Sequence, residues 1–181
     1  YIIDYNRKNF LYVSPNPLFL CEHTPEQVQQ MGYAFYAQVV PEEEIGMLIE
    51  LNDAGFKLFH QQPREARLEM TIEYDFHINY PGTNSMLIHH KLTPILLNKS
   101  GNVWLALCVV SLSPRLLAGN VTVTRKHSAT HYESSFQSRK WKELPNIELT
   151  KRETDHLRLQ EKGYSNIENT GRPVVNLNTG K

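Results

Sequence analysis

The sequence predicts an α+β fold in which helices cover one face of an antiparallel sheet. From Leu68 to Ile78, apolar and polar residues alternate, as they do in a strand that buries one of its faces. Two apolar runs follow, Met86 to Leu97 and Val103 to Leu112, and turn sequences join the three segments into a meander. Helix signals precede the meander along the chain, so the sheet and its covering helices are expected to form one domain.

Two β-hairpins are predicted on either side of this meander. Residues 1–5 and 10–14 are rich in β-branched and aromatic side chains, and a short polar turn separates them. Residues 120–126 and a β-like stretch around 130–136 form the second hairpin, and Trp141 follows as an anchor against the main domain. The order of elements is therefore β-β-α-α-β-β-β as far as residue 113, with a small hairpin after it.

Two helices are predicted between the first hairpin and the meander. The first has a capping box, in which Thr24 caps the helix and Gln27 occupies the reciprocal position, and it ends by Gly32. The second begins at Pro41, where three successive glutamates meet the positive end of the helix dipole, and it ends before Pro63. Apolar residues recur at helical spacing along this second helix, which predicts one buried face.

Composition limits the class of protein. The chain has 181 residues, of which 40% are hydrophobic and 21% charged, and this excludes a disordered, collagen-like or coiled-coil main state. No run of about 18 apolar residues occurs, and the sequence opens at Tyr1 without a basic leader. We therefore expect a cytoplasmic protein, trimmed at its N-terminus, with no membrane partner. Cys21 and Cys108 each lie in an apolar stretch and are predicted to be buried, unpaired thiols.

Charge is unevenly distributed along the chain. Residues 1–114 carry seven basic and twelve acidic residues, whereas residues 115–181 carry twelve basic and seven acidic residues, so the net charge changes from −5 to +5. A basic C-terminal third behind an acidic body favours contact of the tail alone with a polyanion. An ordinary solvated surface explains the same charges equally well.

The element order of residues 1–113 resembles that of a PAS sensor domain. The resemblance implies a small molecule bound between the sheet and the covering helices. Neither cysteine lies in the helix motif of the flavin-binding relatives, which disfavours flavin. Haem stays open as a ligand, although no histidine is placed as its axial ligand, so no cofactor is named and the ligand stays unidentified. The candidate pocket wall comprises Phe56, Phe59, Met70, Ile72, Tyr74, Phe76 and His90. The residue types themselves favour the alternative that these side chains simply fill a core.

Residues 149–168 resemble the opening of a LuxR-type helix-turn-helix domain. The matching pattern is Leu-Thr-x-Arg-Glu, then Leu-x-Leu, then Gly-Tyr-Ser-Asn and a final Glu. Each of these matching residues has a structural role. Thr150 caps a helix, Glu153 occupies the reciprocal position of the capping box, Leu157 packs inward, and Gly163 permits the turn. Together the two resemblances imply a bacterial transcription regulator, a homodimer whose PAS-like domain controls a tail that binds promoter DNA.

The second resemblance stops before the element that would read bases. Residues 169–181 contain Pro173 and two glycines and cannot form the long recognition helix, so we predict disorder there. Truncation, a frameshift or a missing stretch would each produce this ending. Residues 114–148 are assigned to a hairpin and linker between the two domains. The candidate contacts to DNA phosphates are Lys151, Arg152, Ser165 and Asn166.

Two other classes of function are considered. A PAS-like interaction module could dimerise through an exposed sheet face or the 120–144 hairpin without contacting DNA. A small-molecule enzyme would need convergent ionisable groups, and the sequence contains none of the common catalytic motifs. Metal binding is not predicted, because His89 and His90 are adjacent strand residues and point to opposite faces, while His127 and His131 lack a third ligand.

Overall fold

A computed structural model describes residues 1–82, 85–138, 140–147 and 149–161. The chain divides into two units, Tyr1–Pro145 and Asn146–Lys181. In the described part of the second unit, residues 151–161 form a helix. The predicted turn at Gly163 and the tail of residues 169–181 lie outside the described residues.

Within its described residues, the first unit forms an eight-stranded antiparallel sheet. The strands are β1 (Ile2–Asp4), β2 (Asn9–Tyr12), β3 (Met70–Ile78), β4 (Met86–Leu97), β5 (Val103–Leu112), β6 (Asn120–Arg125), β7 (Thr130–Ser135) and β8 (Lys142–Pro145). Their order across the sheet is β2-β1-β5-β4-β3-β6-β7-β8. The second hairpin therefore extends the main sheet, because β6 pairs with β3.

The helices of the first unit lie between β2 and β3 in the sequence. They are α1 (Pro17–Leu20), α2 (Pro25–Met31), α3 (Ala34–Val39) and α4 (Glu42–Gln61), and a 3₁₀ helix follows at Arg64–Glu69. The helix of the second unit is α5 (Lys151–Glu161). Helix α4 packs against β3, and its buried side chains join those of the sheet in one core.

The α+β class and most elements agree with the sequence prediction. Strands β4 and β5 have the predicted bounds, and α2 carries the expected capping box between Thr24 and Gln27. Two short helices, α1 and α3, were not predicted. The third strand begins at Met70 and not at Leu68, because the preceding residues form the 3₁₀ helix. Cys21 and Cys108 are buried and unpaired, as predicted.

One polar residue of β3 departs from the predicted alternation. Asp75 was expected on the polar face of the strand, but its side chain is only 1% exposed. The segment after β5 covers it: the Ser113 hydroxyl donates to Asp75 Oδ1 at 2.8 Å, and Arg115 Nε lies 3.4 Å from Oδ2. A non-local contact thus buries a residue that local periodicity placed on the surface.

Glu44 ties the first turn of α4 to β3. Its Oε2 accepts a hydrogen bond from the backbone N–H of His77 at 2.7 Å, and its Oε1 lies 2.6 Å from Nδ1 of the same residue. Because Glu44→Ala leaves that partly buried N–H unpaired, we expect it to lower the free energy of unfolding by about 1–2 kcal/mol.

The matched control is Glu43→Ala, which removes an exposed carboxylate from the same helix turn. We expect this change to cost less than about 0.5 kcal/mol. Urea unfolding of both variants measures the difference. Equal losses would mean that the two glutamates act only through the helix dipole.

Candidate functional site

A cavity of about 420 Å³ lies between the sheet and helices α3 and α4. Its volume falls within the range of about 300–1,000 Å³ that is typical of small-molecule sites. Strands β1 and β3, the residue that follows β1 and the two helices all contribute to its wall. The lining residues are Ile3, Tyr5, Tyr33, Tyr36, Ala37, Ile45, Leu48, Ile49, Asn52, Phe56, Tyr74 and Phe76.

Local sequence periodicity explains two walls of the cavity. In α4, residues at positions 45, 48, 49, 52 and 56 fall on one helix face, as predicted from their spacing. In β3, Tyr74 and Phe76 belong to the inward row of the alternating strand. The cavity opens to solvent between the helices, because the lining residues Ala37 and Ile49 are exposed.

The polar groups of the cavity wall are almost all uncharged hydroxyls. Asn52 Nδ2 donates to the Leu48 carbonyl at 2.9 Å, and the Asn52 side chain also bonds that of Tyr74. The Tyr36 hydroxyl lies 2.6 Å from that of Tyr1. The buried hydroxyl of Tyr33, by contrast, has no hydrogen-bond partner among the described residues.

Burial keeps these phenols protonated. It raises the pKa of Tyr33 to about 12 and the pKa values of Tyr36 and Tyr74 above their ordinary value of 10. None of the twelve lining residues is Asp, Glu, Lys, Arg or His. The cavity wall is therefore neutral at physiological pH.

The seven predicted pocket residues divide into two groups. Phe56, Tyr74 and Phe76 line the cavity. The other four are buried and fill the core around it: Phe59, Met70, Ile72 and His90. His90 Nε2 bonds the Tyr1 hydroxyl, and its ring packs 4.8 Å from that of Tyr74. His90 thus lies behind the cavity wall.

Sequence reasoning missed three tyrosines of the wall. Tyr33 and Tyr36 are three residues apart at the start of α3, and Tyr5 follows β1. The available signal was the pair of aromatic residues at helical spacing. It was overlooked because no helix was predicted there.

A second polar cluster lies on the opposite face of the sheet, around Asp75. His89 Nδ1 lies 3.0 Å from Asp75 Oδ1, and His89 Nε2 lies 3.5 Å from Glu73 Oε2. His89 and His90 point to opposite faces, as predicted. Ser113 donates to the aspartate and not to the histidine, so the cluster does not contain the serine–histidine pair of a catalytic triad. Among the described residues, no group of three or more His, Cys, Asp or Glu could hold a metal ion.

The start of α5 carries two of the four predicted DNA-contacting residues. Lys151 and Arg152 are exposed. The predicted capping box encloses them: Thr150 N–H donates to Glu153 Oε2 at 2.8 Å, and Glu153 N–H donates to Thr150 Oγ1 at 3.3 Å. This bonding lowers the pKa of Glu153.

Of the remaining residues singled out in this segment, one is described by the structure and two are not. Leu157 was expected to pack inward but is 50% exposed, because no second helix covers it within the described part of its unit. Ser165 and Asn166, the other two predicted DNA-contacting residues, lie outside the described residues.

Comparisons with known proteins do not assign the chain to a family. Models of known protein families give no match to the sequence. A search of curated proteins likewise finds no significant relative. In the described residues, none of the helices has the length and apolar character needed to span a bilayer.

Proposed function

We propose that the chain is the sensory and initial DNA-binding part of a bacterial transcription regulator, acting as a homodimer. In this proposal a PAS-like domain at residues 1–113 binds a small signal molecule, and a LuxR-type segment at 149–168 begins the DNA-binding domain. The observation that carries the proposal is the capped helix α5, which starts where the LuxR-like pattern requires it, after Thr150.

The fold of the first unit supports the sensory half of the proposal. Its first five strands have the order β2-β1-β5-β4-β3, and the helices between β2 and β3 enclose a cavity against that sheet. This arrangement is typical of PAS domains. The neutral wall favours binding over catalysis, because it places no ionised side chain beside a ligand.

The sheet connects the cavity wall with the last residue of the first unit. Tyr74, in the cavity wall, is paired with Val121 of β6. Strands β6, β7 and β8 then follow in register to Pro145, where the first unit ends. In this proposal, a ligand that shifts β3 also shifts the strands that are hydrogen-bonded to it. This movement changes the balance between conformations of the tail.

A function as an interaction module has its own support. The face of the sheet opposite the helices exposes Tyr12, Leu107 and Val109. Their relative solvent-accessible surface areas are 53%, 41% and 51%, respectively. Exposed apolar side chains that cluster on one face are typical of protein contacts. The same face would serve as a dimer surface in the regulator.

A fusion protein tests the DNA-binding half. Residues 1–168 are joined to the remainder of a LuxR-type domain whose operator is known, and operator binding is measured by fluorescence anisotropy. We expect specific binding, because residues 149–168 then supply the first part of a complete helix-turn-helix.

The control fusion carries the same twenty residues, 149–168, in scrambled order, so that composition and charge are unchanged. We expect it to bind only weakly and without preference for the operator. Equal behaviour of the two fusions would contradict the LuxR-type assignment and leave the interaction module as the better hypothesis.

A further inference from the structure

We infer that the cavity takes an uncharged aromatic molecule bearing one hydrogen-bonding group, which pairs with the hydroxyl of Tyr33. This inference rests on the proposed sensory function and specifies the ligand of the same cavity. It follows from the charge and the aromatic surface of the wall and from the buried, unpaired hydroxyl of Tyr33 among the described residues.

Charge complementarity selects an uncharged ligand. The twelve lining residues include no ionisable side chain other than tyrosine, and burial keeps the tyrosines protonated. A carboxylate, phosphate or ammonium group on the ligand would lose its hydration without gaining an ion pair. Charged metabolites and nucleotides are therefore disfavoured.

Aromatic surface dominates the wall. Six of the twelve lining residues are Tyr or Phe, and the rings already meet edge to face, with Tyr5 and Phe56 at 5.2 Å and an interplanar angle of 78°. Aromatic rings pair with one another by offset stacking or edge contacts, and these geometries favour a flat, unsaturated ligand over a flexible chain. The Ile and Leu side chains of the wall add non-directional contact.

Tyr33 supplies the directional contact. Its hydroxyl is buried and lacks a hydrogen-bond partner among the described residues, whereas the hydroxyls of Tyr36 and Tyr74 are already engaged with Tyr1 and Asn52. A buried polar group without a partner is costly, so a ligand that draws this hydroxyl out to the cavity surface and completes its bond gains affinity over one that cannot. The phenol can donate or accept, so one N–H, hydroxyl or carbonyl on the ligand suffices.

The test uses two dyes that share one ring skeleton. N-phenyl-1-naphthylamine is uncharged and carries a single N–H, while 8-anilino-1-naphthalenesulfonate adds a sulfonate. Fluorescence titration of the full chain should give saturable binding of the uncharged dye, about ten-fold tighter or more than that of the sulfonate. Equal or tighter binding of the sulfonate would overturn the inference.

Substitutions at the mouth place the dye in this cavity. Ala37→Trp fills the opening and should weaken binding of the uncharged dye by about ten-fold or more. Gln38→Trp adds the same ring to an exposed neighbour on α3 that does not line the cavity, and should change the affinity less than about two-fold. If the first variant does not fold, Ile49→Trp blocks the mouth from α4. Binding that is unaffected by a folded mouth variant would overturn the inference.

Tyr33→Phe isolates the hydrogen bond. We expect it to weaken binding of the uncharged dye by roughly three- to ten-fold, while the free protein stays at least as stable, because the lost hydroxyl was unpaired. Unchanged affinity would exclude Tyr33 as the recognition group. These titrations contain no DNA and therefore separate the two proposals. If the dye does not bind but the fusion still binds its operator, this inference alone is overturned. If the dye binds but the fusion does not bind its operator, only the DNA-binding proposal is overturned.

Discussion

Phe59→Ala is expected to lower the free energy of unfolding by about 3–5 kcal/mol, because it removes a fully buried ring and leaves a hole in a close-packed core. The Phe59 side chain is 0% exposed in the core between α4 and the sheet. The Arg67 guanidinium lies over the ring, 5.4 Å from its centroid, and the substitution removes this contact too. Equilibrium denaturation with urea measures the loss.

The matched control is Phe56→Ala, one helix turn away. Phe56 is partly exposed and lines the cavity, so its removal enlarges an existing space and should cost roughly half as much. If the two substitutions lower the free energy of unfolding equally, the assignment of Phe59 to the core and Phe56 to the cavity wall would be wrong.

Acid should destabilise the protein through His90. Burial, followed by the neighbouring charge of His89, lowers the pKa of His90 to about 3. In the unfolded chain the same group takes up its proton near pH 6.5. Below that pH the unfolded state therefore binds a proton that the folded state does not, and stability falls by about 1.4 kcal/mol per pH unit until the folded pKa is reached.

His90→Gln keeps a hydrogen-bonding side chain beside Tyr1 and removes the titration. Its unfolding free energy, measured from about pH 7 to pH 4, should depend less steeply on pH than that of the parent chain. The control is His60→Gln, which makes the same exchange at an exposed histidine on α4. Parallel curves for the parent and His90→Gln would show that His90 is not buried in its neutral form.

Local periodicity predicted the parts of the cavity that regular elements build. Helical spacing in α4 placed Phe56 on the buried face, and alternation in β3 placed Tyr74 and Phe76 on the inward row. Periodicity alone cannot tell a side chain that lines a cavity from one that fills a core, because both point inward. The division between Phe56 and Phe59 depends on where α3 lies.

Helix α3 was missed because it lacks the signals that sequence analysis uses. It has only six residues, and Tyr33 at its N-cap makes no side-chain hydrogen bond to the helix. Its position is set by packing, with Phe35 fully buried against Phe19 at 5.1 Å. Tyr33 could therefore not be assigned to the cavity wall before the tertiary structure was known.

The burial of Asp75 has a similar origin. Its covering residues, Ser113 and Arg115, are about forty positions away in sequence. The residues of β3 alone show only the alternation and cannot predict that Asp75 is buried. The capping boxes at Thr24 and Thr150, by contrast, were predictable because all their atoms lie within four residues.

The measurement that tests the regulator proposal most directly is the salt dependence of DNA binding by the two fusions. Anisotropy titrations at about 50 and 200 mM salt should show affinity for all DNA falling, since phosphate contacts release counterions. We expect the fusion with the native 149–168 segment to keep its preference for the operator over unrelated DNA at both salt concentrations, and the scrambled fusion to have none. A native fusion that binds operator and unrelated DNA alike at both concentrations would contradict the proposal.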